Sequence, residues 1–419
     1  MSHQDWQEVV VKDVCESVID CVNKTAPVVD YETPYRMIRT TNVKNGVIDT
    51  KTVRYVEKET FEKWTRRAVP RVGDVILTRE APLGDVGMLT KPGENIFLGQ
   101  RLMQYRTDPA KLDNYFLLYA LQDSYMQGQL KAAGSGSTVE HIRVGDAENL
   151  KIRIPDIDTQ KQLSSILRAY DELIENNNRR IAILEEMAQS LYREWFVKFR
   201  FPGHENAKFI DSPLGKIPEG WGLMAASEAI QINPRTKLPK EGEKPFVPMS
   251  GLNESSMVIS DIGAKSGNSG AKFINSDTLF SRITPCLQNG KIGYVQFLDE
   301  EKPIGFGSTE FVVLRATKHV CPEYVYLMSR TNEFRDNAIK SMTGATGRQR
   351  VSSACFDSYM LTIPPDKIMR QFESVVKVLF DAVFNISKRI HNMRKQRELL
   401  LPRIISGNIP MEAISDDHG

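Results

Sequence analysis

The chain has 419 residues, 41% hydrophobic and 26% charged, the composition of an ordinary soluble protein of two to three domains and not of a disordered polymer. Lysine plus arginine number 55 against 53 acidic residues, a net charge of +2, so a nucleic-acid partner would need positive charge gathered locally. The cysteines (Cys15, Cys21, Cys286, Cys321, Cys355) are odd in number and form no CxxC pair, which excludes a disulfide framework or zinc ribbon and points to a reducing compartment. Val375 to Phe384 is too short for a membrane span and is broken by Lys377 and Asp381. Met-Ser-His-Gln-Asp-Trp at the start lacks the features of a signal peptide, so a cytoplasmic location is expected.

In chain order, the sequence repeats itself. Trp6 opens Trp-Gln-Glu-Val-Val-Val, and Trp221 opens Trp-Gly-Leu-Met-Ala-Ala, 215 residues later. Pro34-Tyr35 pairs with Pro245-Phe246 at 211, Asp74 to Leu77 with Asp277 to Phe280 at 203, and Val86-Gly87-Met88 with Ile292-Gly293-Tyr294 at 206. Arg79 and Pro82 likewise pair with Arg282 and Pro285. From there the offset settles: Arg106 with Arg315, Tyr115 with Tyr324, and Ile154-Pro155 with Ile363-Pro364 are each 209 apart. Insertions therefore fall in the front of each copy, and the back keeps strict register.

The fronts read as mixed α+β domains. Short β-like runs such as Asp74 to Thr78, Met103 to Arg106, Phe311 to Arg315 and Tyr359 to Ile363 are punctuated by Gly, Pro, Asn and Ser, as in Ala264 to Gly270. One helix is predicted over Asn114 to Lys131, and its partner over Pro322 to Ser341.

The back of each copy is a long helix with a heptad seam. Leu163, Leu167, Tyr170, Ile174, Asn177, Ile181, Leu184, Ala188, Leu191 and Trp195 recur in alternating steps of four and three. Phe372, Val376, Leu379, Val383, Ile386, Ile390, Met393, Arg397, Leu400 and Ile404 do the same in the second copy. From Leu163 to Trp195 such a helix is ~48 Å long, more than one small domain covers. Two copies in the same pattern make each other the natural partner. Asn177 puts a polar group on the seam, where it either fixes register or marks a fray.

Catalytic fingerprints are missing. No GxGxxG follows a strand, and Gly290-Lys291 lacks the rest of a phosphate loop. Ile363-Pro364-Pro365-Asp366 has no aromatic after its prolines to stack a flipped base. The histidines form no metal-binding pair, and Asp49-Thr50-Lys51 reads as a turn, not as part of a nuclease. What remains is binding chemistry. Arg36, Arg39, Gln100, Arg101 and Arg143 in the first copy lie on Gly-, Ser- and Thr-rich segments, as do Arg282, Gln288, Arg348, Gln349 and Arg350 in the second. Arg matches O6 and N7 of guanine, and Gln matches N6 and N7 of adenine, each bidentate. Solvated loops are the competing reading. The segments Gly134 to Arg143 and Thr343 to Arg350 stand out, the latter because it combines two Arg, a Gln and two Gly without an acid.

The run Ile154-Pro155-Asp156-Ile157-Asp158-Thr159-Gln160-Lys161-Gln162, continued through Asp171-Glu172-Leu173-Ile174-Glu175-Asn176 to Leu191-Tyr192-Arg193-Glu194-Trp195-Phe196, resembles the central helix of the specificity subunits of type I restriction–modification enzymes. Gly215-Lys216-Ile217-Pro218-Glu219-Gly220-Trp221 is similar to the opening of that family's second recognition domain, and Gly307-Ser308-Thr309-Glu310-Phe311 to a segment recurring in it.

The resemblance implies two tandem target recognition domains on two long helices that pair as an antiparallel coiled coil, with a pseudo-twofold internal repeat. The partition would be 1–155, recognition domain; 156–200, helix; 201–216, linker; 217–364, recognition domain; 365–406, helix; and 407–419, tail. Each domain would read one half of a split, asymmetric double-stranded DNA site. The chain would have no catalysis of its own. Two methyltransferase subunits with S-adenosylmethionine, and restriction–translocase subunits using ATP and Mg, would dock on it. The second helix departs from the pattern. It carries Lys388, Arg389, Arg394, Lys395, Arg397 and Arg403, which read either as a solvated face or as a phosphate or partner surface. A methylation-only complex and a coiled-coil adaptor that binds no DNA are the alternatives.

Overall fold

The computed structural model describes residues 6–90, 95–134, 140–345 and 347–408. Residues 1–5, 91–94, the stretch 135–139 within Gly134 to Arg143, Thr346, and all of 407–419 beyond Asn408 lie outside the described residues. The chain forms two compact units, Met1–Ile174 with Asn392–Gly419, and Glu175–His391.

In the first unit a six-stranded sheet runs in the order Cys15–Asp20, Leu102–Thr107, Val75–Arg79, Leu83–Met88, Gly46–Ile48, Val43–Lys44. A three-stranded sheet holds Arg54–Tyr55, Arg36–Ile38 and Ile96–Leu98, and Gln7–Val10 pairs with Lys151–Ile154. The central strand Val75–Arg79 is apolar on both faces because it divides two cores. Val75 and Leu77 join Met103, Tyr105, Phe116 and Leu117 on one side. Ile76 joins Ile38, Leu98 and Leu102 on the other.

The second unit repeats the plan. Its first four-stranded sheet runs Ile230–Ile232, Phe311–Ala316, Thr278–Ser281, Ile292–Tyr294. Its second runs Gly263–Lys265, Lys244–Val247, Gly305–Gly307, Ala271–Phe273. Gly222–Ala225 pairs with Met360–Ile363. The punctuated stretch Ala264 to Gly270 ends on a glycine that the packing demands. A Cβ on Gly270 would lie 1.8 Å from the Gly307 carbonyl oxygen, and its φ is +111°.

Strand pairing verifies the repeat residue by residue. Gln7 faces Ile154 as Gly222 faces Ile363, which upholds the 215 offset. Leu77 faces Val86 as Phe280 faces Ile292, and Leu102 faces Thr78 as Phe311 faces Ser281. One pairing is corrected. Met37 faces Phe97 as Phe246 faces Phe306, so Pro34-Tyr35 corresponds to Glu243-Lys244 and not to Pro245-Phe246. A two-residue slip keeps each side chain on its face, and alternation alone does not detect it.

The repeat is also written in a buried ion pair. Arg106 grips Asp74 with Nε at 2.9 Å from Oδ1 and a terminal nitrogen at 2.7 Å from Oδ2. Arg315 grips Asp277 in the same way, at 2.7 and 2.6 Å.

The two predicted single helices are each broken in two. Asn114–Gln122 and Ser124–Ala133 are separated at Asp123, whose buried carboxylate accepts the Tyr125 N–H and caps the second helix. Pro322–Ser329 and Asn332–Lys340 are separated at Arg330-Thr331, with Thr331 as the cap. A capping side chain that takes an N–H from the next turn starts a new helix even where apolar residues continue.

The long helices are Ile157–Tyr192, finishing in a π turn over Arg193–Val197, and Asp366–Ile405. Asp156 starts the first by accepting the Asp158 and Thr159 N–H groups at 3.1 and 3.0 Å. The helices pair antiparallel within each unit. In the first, Leu163 and Leu167 share a core with Ile404 and Ile405, and Arg397 lies 2.6 Å from Asp171. In the second, the Trp195 and Phe196 rings stand 5.6 and 4.7 Å from Phe372. Among the seam positions, Leu163, Leu167, Ile181, Phe372, Val376, Val383, Ile386 and Ile390 are buried, and Ile174, Asn177, Leu184 and Met393 half-buried. Of Lys388, Arg389, Arg394, Lys395, Arg397 and Arg403 on the second helix, five are exposed. Arg397 is not: its side chain is 14% exposed and lies over the Tyr119 ring while Tyr119 donates to Asp171. No helix among the described residues is long and apolar enough to cross a membrane.

Candidate nucleic-acid interface

In each unit, three loops meet at the end of the central strand. In the first unit the Arg79 N–H donates to the Arg101 carbonyl at 2.8 Å, and the Ile142 N–H donates to the Arg79 carbonyl at 3.0 Å. In the second the Arg282 N–H donates to the Glu310 carbonyl and the Val351 N–H to the Arg282 carbonyl, both at 2.9 Å. The same backbone scaffold thus gathers Gln100–Arg101 with the end of Gly134 to Arg143, and Arg282 to Gln288 with Thr343 to Arg350. These segments are far apart in sequence, and the sheet register places them together.

Rigidity comes from side chains behind the loops. Arg79 donates to Asp20 at 2.7 Å and to the Ile142 carbonyl at 3.2 Å. Arg335 donates to the carbonyls of Leu287 and Gln288, and Arg330 to those of Glu254 and Gly290. Thr284 donates both its N–H and its hydroxyl to the Gln349 carbonyl. These bonds satisfy loop carbonyls that would otherwise compete for water, and they fix where the exposed side chains start.

The residues singled out from sequence fare differently. Gln100 is half-buried, in the turn between Ile96–Leu98 and Leu102–Thr107. Arg101 has φ +70° and lies 3.4 Å from Glu80. Arg39 is near this turn, because the Gly99 N–H donates to the Ile38 carbonyl, but its guanidinium is spent on the Thr52 carbonyl at 3.1 Å. Arg36 is exposed at the far end of the same strand and is not brought to the corner. Arg143 is exposed and leads into the short helix Val144–Glu148. Arg282 is half-buried, held by its backbone, and its Nε is buried without a hydrogen-bond partner. Gln288 and Arg348 are exposed, and Gln349 is half-buried. Arg350 is bidentate to Glu310, Nε at 2.9 Å from Oε2 and a terminal nitrogen at 2.6 Å from Oε1. That grip holds the Glu310 carboxyl below the usual carboxylate range. Asp49 is a turn residue, accepting the Lys51 and Thr52 N–H groups.

Glu80 and Glu310 are neither cations nor amides, yet Glu310 fixes how Arg350 points and Glu80 lies beside Arg101. The only sequence signal was Glu310 inside Gly307 to Phe311. Among the described residues, no group of three or more His, Cys, Asp or Glu could hold a metal ion.

A family profile described as the type I restriction modification DNA specificity domain matches twice, over residues 3–186 and 218–398. The chain is 23% identical over 373 residues to the type I restriction enzyme MjaIX specificity subunit of Methanocaldococcus jannaschii, covering 86% of this chain and 83% of that one. It is 22% identical over 382 residues to the HindI specificity subunit of Haemophilus influenzae, covering 77% and 80%. The crystal structure of a type I restriction–modification S subunit from M. genitalium superposes with a TM-score of 0.55 at 15% identity, covering 95% of this chain and 96% of that one, a likeness of fold.

Proposed function

From the premise that the chain belongs to the family of type I restriction–modification DNA specificity domains, we propose that it is the DNA-specificity subunit of such a complex. It reads a bipartite, asymmetric site in double-stranded DNA, one half per recognition domain. The observation that carries this reading is the doubled family match falling on two copies of one fold, each with its own loop cluster built on the same scaffold. Two copies that share a frame and differ in their loops suit two different half-sites.

The recognition domains are 1–155 and 217–364. The helices 156–200 and 365–406, with the linker 201–216 and the tail 407–419, form the frame. The chain contributes specificity and no chemistry. Two methyltransferase subunits supply adenine-N6 methylation with S-adenosylmethionine, and restriction–translocase subunits supply ATP- and Mg-dependent cleavage, in the cytoplasm. Gln100, Arg101, Arg143, Gln288, Arg348, Gln349 and Arg350 contact DNA at the two loop clusters, and Arg36 contacts it away from them. Arg39 and Arg282 support the loops that do. Exposed arginines with no ion pair among the described residues, such as Arg348 and Arg143, suit phosphates.

The test is a methylome. The chain is expressed with its cognate methyltransferase and modified adenines are mapped by long-read sequencing. A split motif with a fixed gap is expected. A soluble complex that adds no methylation would refute the proposal and leave a coiled-coil adaptor that binds protein.

A further inference from the structure

A Gln-Arg dipeptide stands at the same corner of each unit, but on a different loop. In the first unit it is Gln100–Arg101, in the turn that leads into Leu102–Thr107. In the second, the equivalent turn carries Thr309–Glu310, because Phe311 faces Ser281 as Leu102 faces Thr78. There the dipeptide is Gln349–Arg350, delivered by the segment after Asn332–Lys340. That segment is joined to the corner by the bridge of Arg350 to Ile283, where the first unit has His141 bridged to Glu80.

At both corners the arginine meets a glutamate, with the polarity exchanged. The cation comes from the turn in the first unit, where Arg101 Nε is 3.4 Å from Glu80. It comes from the opposite loop in the second, where Glu310 on the turn takes Nε and one terminal nitrogen of Arg350. That grip occupies one edge of the guanidinium. The other edge keeps N–H donors on both terminal nitrogens, and the Arg350 side chain is 49% exposed.

A carboxylate so close to the arginine repels phosphate, which makes the corner a poor backbone contact. It repels a neutral base edge far less. Two parallel donors held in a fixed plane match the O6 and N7 acceptors of guanine in the major groove. We infer that each corner is a guanine-reading site, with Arg350 set by the bidentate grip of Glu310 and Arg101 standing beside Glu80, so that each half-site contains a G·C pair read by that arginine. Glu310 is a positioning residue. The inference rests on the proposed DNA-specificity role.

The methylome assay with the full chain and its cognate methyltransferase tests it, using Glu310→Gln, Arg350→Lys, Arg101→Lys, and the exchange Glu310→Arg with Arg350→Glu. Glu310→Gln and Arg350→Lys should both relax one guanine position of one half-site, with about a 5- to 150-fold loss of discrimination there. Arg101→Lys should relax a guanine in the other half-site. The untouched half-site in each case reports that the complex is folded. The exchange restores the ion pair but moves the guanidinium to the turn, as in the first unit, so it should shift the guanine to a neighbouring position of that half-site and not restore the original motif. An unchanged motif in Glu310→Gln and Arg350→Lys would overturn the inference, as would full recovery in the exchange or equal relaxation of both halves. A wild-type chain that directs no split motif would overturn the specificity role itself, a distinct result.

Discussion

Replacing Arg315 by Met removes the cation from a carboxylate that has almost no access to water. Asp277 has a side chain 1% exposed, and its remaining hydrogen bond comes from the Ile274 N–H at 2.8 Å. Stripping one partner from a buried pair costs about 3–5 kcal/mol, because the other charge stays behind. Arg315 is itself 21% exposed, so water can partly replace it, and the lower end, about 3 kcal/mol, is expected. For a unit of this size that is a fall of roughly 6–12 °C in the midpoint of its transition. Differential scanning calorimetry of the full chain should show one transition displaced, and hydrogen exchange should place the loosening in Thr278–Ser281 and Phe311–Ala316. The cost should depend on pH with a definite sign. Burial pushes the Asp277 carboxyl up, and Arg315 and the Ile274 N–H hold against it. Without Arg315 it rises further, so the variant protonates Asp277 first and the penalty shrinks as pH falls. Pairing the change with Asp277→Leu should recover most of the loss. A cost under about 1 kcal/mol, or one that is flat between pH 8 and 5, would refute a charged buried pair.

Three further outcomes are expected. Asp156→Ala should cost about 1 kcal/mol in urea unfolding by removing the cap of the first long helix. The Thr159 N–H holds the Asp156 carboxyl low, so this difference is present above the ordinary aspartate range and lost as pH falls through the folded value. Arg397→Met should destabilise the first unit by about 1 kcal/mol, since Asp171, 38% exposed, keeps the Tyr119 hydroxyl and some water, and a null result by denaturant titration would reduce the pair to a surface contact. Deleting one heptad from both helices, Ile174 to Arg180 and Val383 to Arg389, removes about 10.5 Å of helix, or roughly three base pairs of DNA. The permitted gap in the methylome should change or the activity vanish, and an unchanged gap would rule out helix length as its determinant.

The repeat was legible because its identities are structural. Asp74 with Arg106 and Asp277 with Arg315 are pairs whose loss strands a buried charge, and they stand in the sequence as aligned letters. Both helix seams were legible from spacing alone. The breaks at Asp123 and Thr331 were not, because apolar residues continue through them and only the caps reveal the restart. Arg397 was seen to fill a seam step, but its partner Asp171 lies 226 residues away and no local pattern names it. The same holds at the interface. Gln100, Arg101, Gln349 and Arg350 were found by residue type, whereas Glu310 acquires its meaning only when tertiary structure lays it against Arg350.

Neither unit boundary falls between the repeats; both fall inside the long helices, after Ile174 and after His391. The first unit therefore draws on both ends of the chain, and its core includes Ile404 and Ile405 beside Leu163 and Leu167. On the ribosome, the N-terminal recognition domain emerges with that part of its core uncovered. At 5–20 residues per second it waits about 10–50 s for the last helix to arrive. Of the two units, the one begun first is finished last. A polypeptide cut short anywhere before Ile404 exposes its deficit in the unit already synthesised, far from the break.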